Sequence, residues 1–334
     1  MAATKTTIVD VARAAGVSVG TASNVLNKPE RVSPATRRRV EQAVERLGFV
    51  PNGAARQLRS GNLSAVGAVL LDIRNPFYTD VARGIEDRLD ESGHALLVGS
   101  SDGDPRREAR YLRLFEGQGV SGVIAASVDQ DGAVYQELIG RGLNVVLLES
   151  QFPDLPISSV RVDNQAGARA AANHLMSLGF KKIVMFNGPH QYRQCAERAA
   201  GARQALTAAG LGDALTEVQV GQLNSVGGAT AAQAWLAGDP GPSAIFCVND
   251  LVAIGVQREL TAAGGYRPKR FPLVGFDDID VVADRAVPIT SIRQPTYQLG
   301  RRAAAMLESM NAGESVEHIT FVPELVVRAS TRPT

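Results

Sequence analysis

The chain has 334 residues, of which 45% are hydrophobic and 21% are charged. Its length exceeds that of one ordinary domain, and its composition excludes the disordered and collagen-like classes. The two cysteines cannot build a disulfide framework, and no apolar run reaches the length of a membrane span. The N-terminus lacks the apolar block of a secretory signal, so we expect a cytoplasmic protein without membrane contact.

The net charge of +1 conceals an asymmetry along the chain. The first 61 residues carry ten positive and four negative side chains, whereas the remainder carries 25 positive and 30 negative ones. A small basic head therefore precedes a larger, mildly acidic body. Such a head suits a polyanionic partner, but a solvated helix face rich in arginine is equally compatible with the charge alone.

Three short helices are predicted in the first 50 residues, and each begins after a residue that can cap it. The caps are Thr7, Ser18 and Ser33, and the helices span residues 8–15, 21–26 and 34–47. Gly16 ends the first helix and leaves only a tight turn before the second. The first two helices must therefore cross steeply.

A helix, a glycine turn and a second helix that begins with small polar residues form the helix-turn-helix, whose second helix lies in the DNA major groove. Ser18, Thr21 and Ser23 can bond phosphates, and Asn24 can pair with adenine. Asn27 ends this helix near the DNA backbone. Among such residues helix caps outnumber DNA contacts in general, but the charge of the head favours DNA binding.

Six stretches of the head follow a known pattern almost position for position. They are TIVDVA at 7–12, AGVS at 15–18, TASNVLN at 21–27, VS at 32–33, TR at 36–37 and LGFVPN at 47–52. In these stretches the head resembles that of the lac repressor family of bacterial transcription regulators. The resemblance implies that Val19, Gly20 and Asn24 occupy the three base-reading positions. Because Gly20 has no side chain, we predict that specificity rests on Val19 against a thymine methyl group and on Asn24 against a base edge.

The resemblance implies further DNA contacts in the head and in the segment that follows it. These are made by Thr7, Ser18, Thr21, Ser23, Asn27, Ser33, Asn52, Ala55, Leu58 and Arg59. By composition alone the segment 51–61 is equally compatible with a plain linker. In the family it is the hinge helix, which folds on operator DNA and inserts a leucine into the minor groove. Leu58 matches that leucine, and an apolar wedge of this kind can unstack a base step.

From about residue 64, short apolar runs alternate with helical stretches. Strands are predicted over 65–71, 95–100, 120–126, 143–148, 182–186, 244–248 and 272–276. Helices are predicted over 78–93, 105–118, 165–178, 193–209, 251–263 and 298–311. This alternation predicts an α/β body of parallel sheets with helices on both faces, which binds ligands at the carboxyl ends of its strands.

Motifs of enzymes and metal sites are missing or misplaced. The G-x-S-x-G pattern at 16–20 lies between two helices, and the G-x-G-x-x-G pattern at 117–122 precedes a predicted strand instead of following one. The sequence has no P-loop, H-E-x-x-H or C-x-x-C pattern, and its four histidines have no recognisable ligand spacing. It therefore predicts neither enzymatic activity nor a metal or other cofactor.

The body also follows the family pattern. Matching segments are NPFY at 75–78, VRVDN at 160–164, ER at 197–198, ND at 249–250, GFDD at 275–278, QP at 294–295 and PELVVRAST at 323–331. In these segments the body resembles the family's two-lobed core, which has the periplasmic sugar-binding fold. The resemblance implies that the chain crosses between the lobes near Val162, Ser291 and Val322. The implied domains are a helix-turn-helix head at 1–50, a hinge helix at 51–61 and a core at 62–334. In the core, the N-terminal lobe spans about 62–162 and 292–322, and the C-terminal lobe spans about 163–291 and 323–334.

Several residues of the body suit a small-molecule site in the cleft between the lobes. Phe77 and Tyr78 can form an aromatic wall, with Phe246 facing them from the other lobe. A polar set that suits the vicinal hydroxyls of a sugar consists of Arg198, Asn249 and Asp277. Taken singly, capping is the more common role for an Asn or Asp at such positions. By position alone the resemblance adds Asn75, Glu149, Tyr192, Gln194 and Gln294.

The sequence therefore predicts a homodimeric transcription repressor that binds palindromic double-stranded operator DNA and is released by a small-molecule effector, a sugar, in the cleft. The alternative is a corepressor-type regulator that responds to a purine or another metabolite. A sugar-binding protein without a regulatory role is disfavoured by the basic head. An enzyme is disfavoured by the missing catalytic motifs.

Overall fold

The computed structural model describes residues 6–49, 65–128, 131–264 and 266–332, without the side chains of Asn27 and Glu30. The chain divides into two compact units, Met1–Leu63 and Ser64–Thr334. The predicted hinge helix at 51–61 lies outside the described residues.

The described part of the first unit contains three helices, as the sequence predicts. They are α1 (Ile8–Ala15), α2 (Val19–Asn27) and α3 (Pro34–Leu47), with a 3₁₀ turn at Pro29–Arg31 between the last two. The second helix begins two residues earlier than predicted, because the Ser18 hydroxyl accepts a hydrogen bond from the Thr21 amide and caps it at Val19. Gly16 adopts the left-handed conformation (φ 62°) that ends α1, and glycine enters this region without steric cost.

The second unit contains two six-stranded sheets. The first sheet has the order β11-β5-β4-β3-β1-β2, and the second has the order β12-β10-β9-β8-β6-β7. The strands are β1 (Ala65–Leu70), β2 (Ala95–Ser100), β3 (Val123–Ala126), β4 (Val145–Leu148), β5 (Ser158–Val162), β6 (Ile183–Asn187), β7 (Leu215–Gln219), β8 (Ala244–Cys247), β9 (Leu273–Asp277), β10 (Thr290–Arg293), β11 (His318–Phe321) and β12 (Glu324–Val326). All neighbours pair in parallel except β10 and β12, which are antiparallel.

Helices cover both faces of these sheets. They are α4 (Pro76–Asp90), α5 (Pro105–Gln118), α6 (Ala133–Gly140), α7 (Asn164–Ser177), α8 (Arg193–Ala208), α9 (Ser225–Leu236), α10 (Asp250–Ala262) and α11 (Thr296–Asn311). The first sheet packs with α4, α5, α6 and α11 and forms the first lobe, whereas the second sheet packs with α7 to α10 and forms the second lobe. Strands buried on both faces explain the continuous apolar runs, such as AVGAVL in β1.

The chain crosses between the lobes three times. The first crossing follows β5 at Val162, and the third lies between β11 and β12, around Val322. The second crossing was expected near Ser291, but it falls after Arg293. The reason is that Thr290–Arg293 pairs with β9 and therefore belongs to the second sheet.

Candidate functional site

The outer surface of α2 carries the residues that the sequence assigns to base reading. Val19 is 43% exposed, and Gly20 and Asn24 are also exposed. Ser18 is exposed at the helix N-terminus, where its Oγ lies 2.9 Å from the Thr21 Oγ1. These side chains point out of the head, so that α2 can present them to a groove.

The other residues predicted to contact DNA differ in their exposure. Thr7 and Ser33 are exposed caps at the starts of α1 and α3. The phosphate contact predicted for Ser23 is not met, because this side chain is only 4% exposed and points into the head. The side chain of Asn27 and the whole of Asn52, Ala55, Leu58 and Arg59 lie outside the described part of the chain.

One of the arginines of α3 has a structural role in the head. The Arg39 Nη2 donates hydrogen bonds to the carbonyl oxygens of Ala15 and Gly16 at 3.0 and 3.1 Å. A cation is favourable at this helix end because the last carbonyls carry partial negative charge. Arg37 forms an ion pair with Glu41 at 2.7 Å. The positive charge of the head thus includes Arg39, which links α3 to the end of α1, and Arg37, which is paired within α3.

A cavity of about 350 Å³ lies between the two lobes of the second unit. It is bordered by the loops that follow the carboxyl ends of β1, β2, β4, β6, β7, β8 and β10, and by the last residue of β9. Ten of the eleven predicted effector residues line it, namely Asn75, Phe77, Tyr78, Glu149, Tyr192, Gln194, Arg198, Asn249, Asp277 and Gln294. The expected position of a ligand site in a parallel α/β sheet is therefore occupied by the expected side chains.

Phe246 is the exception and corrects the sequence prediction. Its side chain is fully buried in β8 and packs in the core of the second lobe. Alternate residues of a strand point to opposite faces of the sheet, so a strand residue within the sheet cannot face the cleft beyond the strand end. The aromatic wall consists instead of Phe77 and Tyr78, which meet edge to face at 4.8 Å, together with Tyr192.

Arg198 is the centre of the polar network at the base of the cavity. Its Nε donates to the Asn164 Oδ1 at 2.8 Å, and its Nη1 donates to the Val248 carbonyl oxygen at 2.6 Å. The guanidinium lies 3.5 Å from the centre of the Phe276 ring. Its Nη1 is 3.7 Å from the Asp277 Oδ1, and both side chains are about 95% buried. This cation is therefore fixed on several sides and already has a counterion.

Asp277 joins groups from both lobes. Its Oδ1 accepts a hydrogen bond from the Gln294 Nε2 at 2.7 Å, and its carboxylate also accepts one from the Asn75 side chain in the first lobe. Burial raises the pKa of the Asp277 carboxyl to about 6, although Arg198 and the two amides each lower it. The Gln294 Oε1 is buried and has no hydrogen-bond partner among the described residues.

Glu149 connects the cavity to the first crossing between the lobes. One carboxylate oxygen accepts a hydrogen bond from the Val162 amide at 2.9 Å, and the other accepts one from the Asn164 Nδ2 at 3.2 Å. Burial raises the pKa of Glu149 to about 7, against the lowering effect of Arg198. Its backbone is left-handed (φ 58°), an uncommon conformation for a residue other than glycine.

Asn249 lines the cavity, but both of its polar atoms serve the local fold. The Oδ1 accepts from the Val252 amide and caps α10, and the Nδ2 donates to the Leu223 carbonyl oxygen. Asn249 therefore caps a helix, which is the more common role for an asparagine at such a position. One N–H and one lone pair of the oxygen of this amide remain for a ligand.

The cavity also has lining residues that sequence reasoning did not assign to it. They are Leu71, Asp72, Arg74, Asp102, Gly103, Pro189, Gly221, Gln222, Leu223, Asn224 and Val248. Asp72 directly follows one predicted strand and Asp102 lies two residues after another, so strand ends were the signal that could have identified them. The ion pair of the Arg74 guanidinium with both Asp72 oxygens, at 2.9 and 3.0 Å, has no comparable signal in the sequence.

Two further features bear on function. Among the described residues, no three His, Cys, Asp or Glu side chains are grouped so that they could hold a metal ion. None of the described helices combines the length and apolar character needed to cross a membrane.

Comparisons with known proteins agree with this arrangement. Residues 7–52 match the model of bacterial regulatory proteins of the lacI family, and residues 63–324 match that of periplasmic binding proteins and the sugar binding domain of the LacI family. The HTH-type transcriptional regulator CelR of Thermobifida fusca is 35% identical over 331 residues, which cover 96% of each chain.

Solved structures give the same result. The lac repressor dimer bound to operator and the anti-inducer ONPF has a TM-score of 0.83 and 26% identity, covering 98% of this chain and 99% of that one. The complex of the transcriptional regulator CelR with cellobiose has a TM-score of 0.72 and 30% identity, covering 97% and 99%. The relatives are regulators rather than enzymes, in agreement with the sequence prediction. The chain belongs to the LacI family and is a DNA-binding transcriptional regulator with a helix-turn-helix head and a two-lobed core of the periplasmic sugar-binding type.

Proposed function

We propose that this regulator is a repressor that binds a palindromic operator as a homodimer and leaves it when an uncharged sugar fills the cavity between the lobes. The observation that carries the effector assignment is the unpaired Gln294 Oε1 beside the buried Asp277 carboxylate. Buried acceptors without donors are unfavourable, and a ligand that supplies hydroxyl donors relieves this cost.

The residues that line the cavity are rich in hydrogen-bond acceptors. Four carboxylates border it, those of Asp72, Asp102, Glu149 and Asp277. Sugar hydroxyls can donate to these oxygens and can also accept from the remaining N–H groups, which a hydrophobic ligand cannot do. Phe77 and Tyr78 offer an apolar surface for a sugar ring.

The charges of the lining residues favour an uncharged sugar over a phosphorylated one. The two arginines of this cavity are already paired, Arg74 with Asp72 and Arg198 with Asp277. A phosphate would bring about two negative charges into a site with four carboxylates. We therefore expect a sugar phosphate to bind at least tenfold more weakly than the parent sugar.

The homodimer is supported by apolar surface on the first lobe. Leu97 and Val98 are exposed on β2, an edge strand of the first sheet, and Leu114 is exposed on the adjacent α5. Exposed apolar side chains on an open sheet edge mark a surface that another chain can cover. A second copy of this chain is the proposed occupant, since a single recognition helix reads only one half-site and a palindrome requires two.

Release requires that the sugar bind the DNA-free arrangement more tightly than the DNA-bound one. The polar network offers a route for this coupling. Asn164 lies just after the first crossing, Glu149 bonds to the Val162 amide at that crossing, and Gln294 lies in the second crossing. All three bond to groups of the cavity. A ligand whose hydroxyl groups enter this network changes the hydrogen bonds that connect the two lobes.

The test is thermal stabilisation of the full chain against a panel of sugars, their phosphates, purines and nucleosides. A ligand at about 100 times its Kd adds about 2.7 kcal/mol to the free energy of unfolding. The expected result is a shift with one sugar that Asp277→Asn abolishes and the exposed control Asp280→Asn retains. Stabilisation by a purine alone, or by none of these compounds, would contradict the sugar assignment and leave DNA binding untouched.

A further inference from the structure

A second cavity, of about 240 Å³, lies beside the first. The two cavities share five lining residues, namely Leu71, Tyr78, Glu149, Tyr192 and Gln194. The first cavity is therefore one compartment of a longer cleft, and a ligand in it has room to extend past Tyr78 and Tyr192.

Tyr192 stands between the compartments, and its position depends on the opposite lobe. A Cβ atom at position 103 would lie 2.7 Å from the Tyr192 hydroxyl oxygen, closer than real atoms approach. Gly103 also has a left-handed backbone (φ 75°), which favours glycine. Glycine at 103 thus lets the tyrosine of the second lobe reach across the cleft to the first.

The second compartment has the chemistry of a carbohydrate subsite. Its polar groups include the hydroxyl of Ser150, the imidazole of His190 and the guanidinium of Arg193. Ser150 is 5% exposed and donates to the Leu148 carbonyl at 3.3 Å, so that its oxygen can still accept a hydrogen bond. His190 is held in place by Glu217, whose Oε2 lies 2.8 Å from its Nε2.

The second compartment also has apolar walls, which are formed by Leu71, Tyr78, Ala126, Val128, Leu148 and Tyr192. The side chains of Ser127, Glu149, Gln191 and Gln194 complete its polar lining. Apolar walls interspersed with polar side chains match a sugar ring, which has C–H faces and a hydroxyl edge. Its volume alone is below the range of about 300–1,000 Å³ that is usual for a small-molecule site. The second compartment therefore suits an extension of a ligand better than a separate ligand.

We propose that the effector has two sugar units, one in each compartment, joined near Tyr192 and Glu149. This inference rests on the proposed function, since it requires that the first compartment bind a sugar. The unit in the first compartment bonds to Asp277 and Gln294. The unit in the second compartment packs on Tyr78 and Tyr192 and bonds to Ser150.

The test is isothermal titration calorimetry of the full chain with glucose, galactose and mannose, and with disaccharides built from each. We expect one disaccharide to bind at least tenfold more tightly than either of its monosaccharides. Binding of a monosaccharide as tightly as every disaccharide that contains it would overturn the proposal while leaving the sugar assignment intact. The absence of binding by any of these sugars would overturn both.

A variant that fills the second compartment locates the extra affinity. Ser150→Leu should reduce the affinity for the disaccharide to that for the monosaccharide. The affinity for the monosaccharide should stay within twofold of its value in the unaltered chain. The matched control is Ser177→Leu, at an exposed position on α7. Equal weakening of both ligands by Ser150→Leu would contradict the assignment of the second compartment. If this variant does not fold, the comparison of ligands on the unaltered chain decides the proposal.

Discussion

Glu149 makes the stability of the core depend on pH. Its pKa is raised from 4.5 to about 7 by burial, with a further increase from nearby Glu197 and a decrease from Arg198. The folded core therefore binds this proton more tightly than the unfolded chain does. Stability from this group is fully present below about pH 4.5 and is lost as the pH rises through 7. Asp277, with a pKa of about 6, acts in the same direction.

The corresponding prediction compares the chain with Glu149→Gln, which keeps the size of the side chain and cannot ionise. Urea denaturation at pH 5.5 and pH 8 should show a smaller loss of stability with rising pH in the variant than in the unaltered chain. Asp280→Asn, at an exposed aspartate, should not change this loss. Equal pH dependence in the unaltered chain and Glu149→Gln would mean that Glu149 ionises normally.

For single residues, the sequence predicted which side chains can bind a ligand better than it predicted which way those side chains point. Asp277, Arg198 and Gln294 were assigned to one site, and the structure brings them together. Phe246 and Ser23 were also candidates, yet both side chains are buried. Residue type identifies a possible ligand, but the register of a strand or the face of a helix decides which way its side chain points.

The recognition helix α2 carries the most direct prediction for an element. Asn24→Ala should lower the discrimination between correct and incorrect bases at one half-site position by about 1–3 kcal/mol, because the amide loses its bonds to the base edge. The measurement is the affinity for a series of operators with single base changes. Gln42→Ala, at an exposed position on α3, should leave the preference unchanged. If Asn24→Ala kept the full preference, Asn24 would not read a base.

Helix α9 shows why part of the fold escaped prediction. Its sequence, SVGGATAAQAWL, contains two glycines, which disfavour a helix by about 1 kcal/mol each. Gly228 is needed because a Cβ atom there would lie 2.4 Å from the Val252 carbonyl oxygen of α10. In α10, Gly255 is needed for the same reason, since a Cβ atom there would lie 2.2 Å from the Ser225 carbonyl oxygen of α9. Close packing of two helices outweighs local propensity, and a single sequence does not display such tertiary contacts.

The glycine contact gives a second prediction for an element. Gly255→Ala should lower the free energy of unfolding by about 1–3 kcal/mol, because the added methyl group forces α9 and α10 apart. Gly117→Ala is the matched control: it lies on α5, a Cβ there meets no atom within 4 Å, and the change should stabilise by about 0.5–1 kcal/mol. Chemical denaturation measures both values. Equal effects of the two substitutions would rule out the packing explanation.

For the whole molecule, the strands that escaped prediction are short or lie at or near sheet edges. Examples are β7 and β11, with sequences LTEVQ and HITF. Their side chains are partly exposed, so they lack the continuous apolar runs that identified central strands such as β1 and β3. The α/β body was nevertheless predicted, because the alternation of buried strands and helices is visible in the sequence, and the resemblance to the lac repressor family implied its two lobes.

The proposed dimer carries a prediction for the assembly. Val98→Asp, on the exposed edge strand β2, should convert a dimer into a monomer, since burying an unpaired carboxylate is costly. Its operator affinity should fall sharply, while its sugar affinity should stay within threefold. Val316→Asp, just before β11 at the opposite edge of the same sheet, is the control and should remain dimeric. Sedimentation velocity distinguishes the two states, and a dimeric Val98→Asp would place the interface elsewhere.

The central claim is that a sugar in the cleft releases the regulator from its operator. The most direct measurement is fluorescence anisotropy of the full chain on a palindromic duplex selected from random DNA, with and without the stabilising sugar. We expect a saturating sugar to raise the Kd for the operator at least tenfold, and Asp277→Asn to abolish this effect while keeping operator affinity. An unchanged Kd with the cleft saturated, or tighter binding, would contradict release by a sugar.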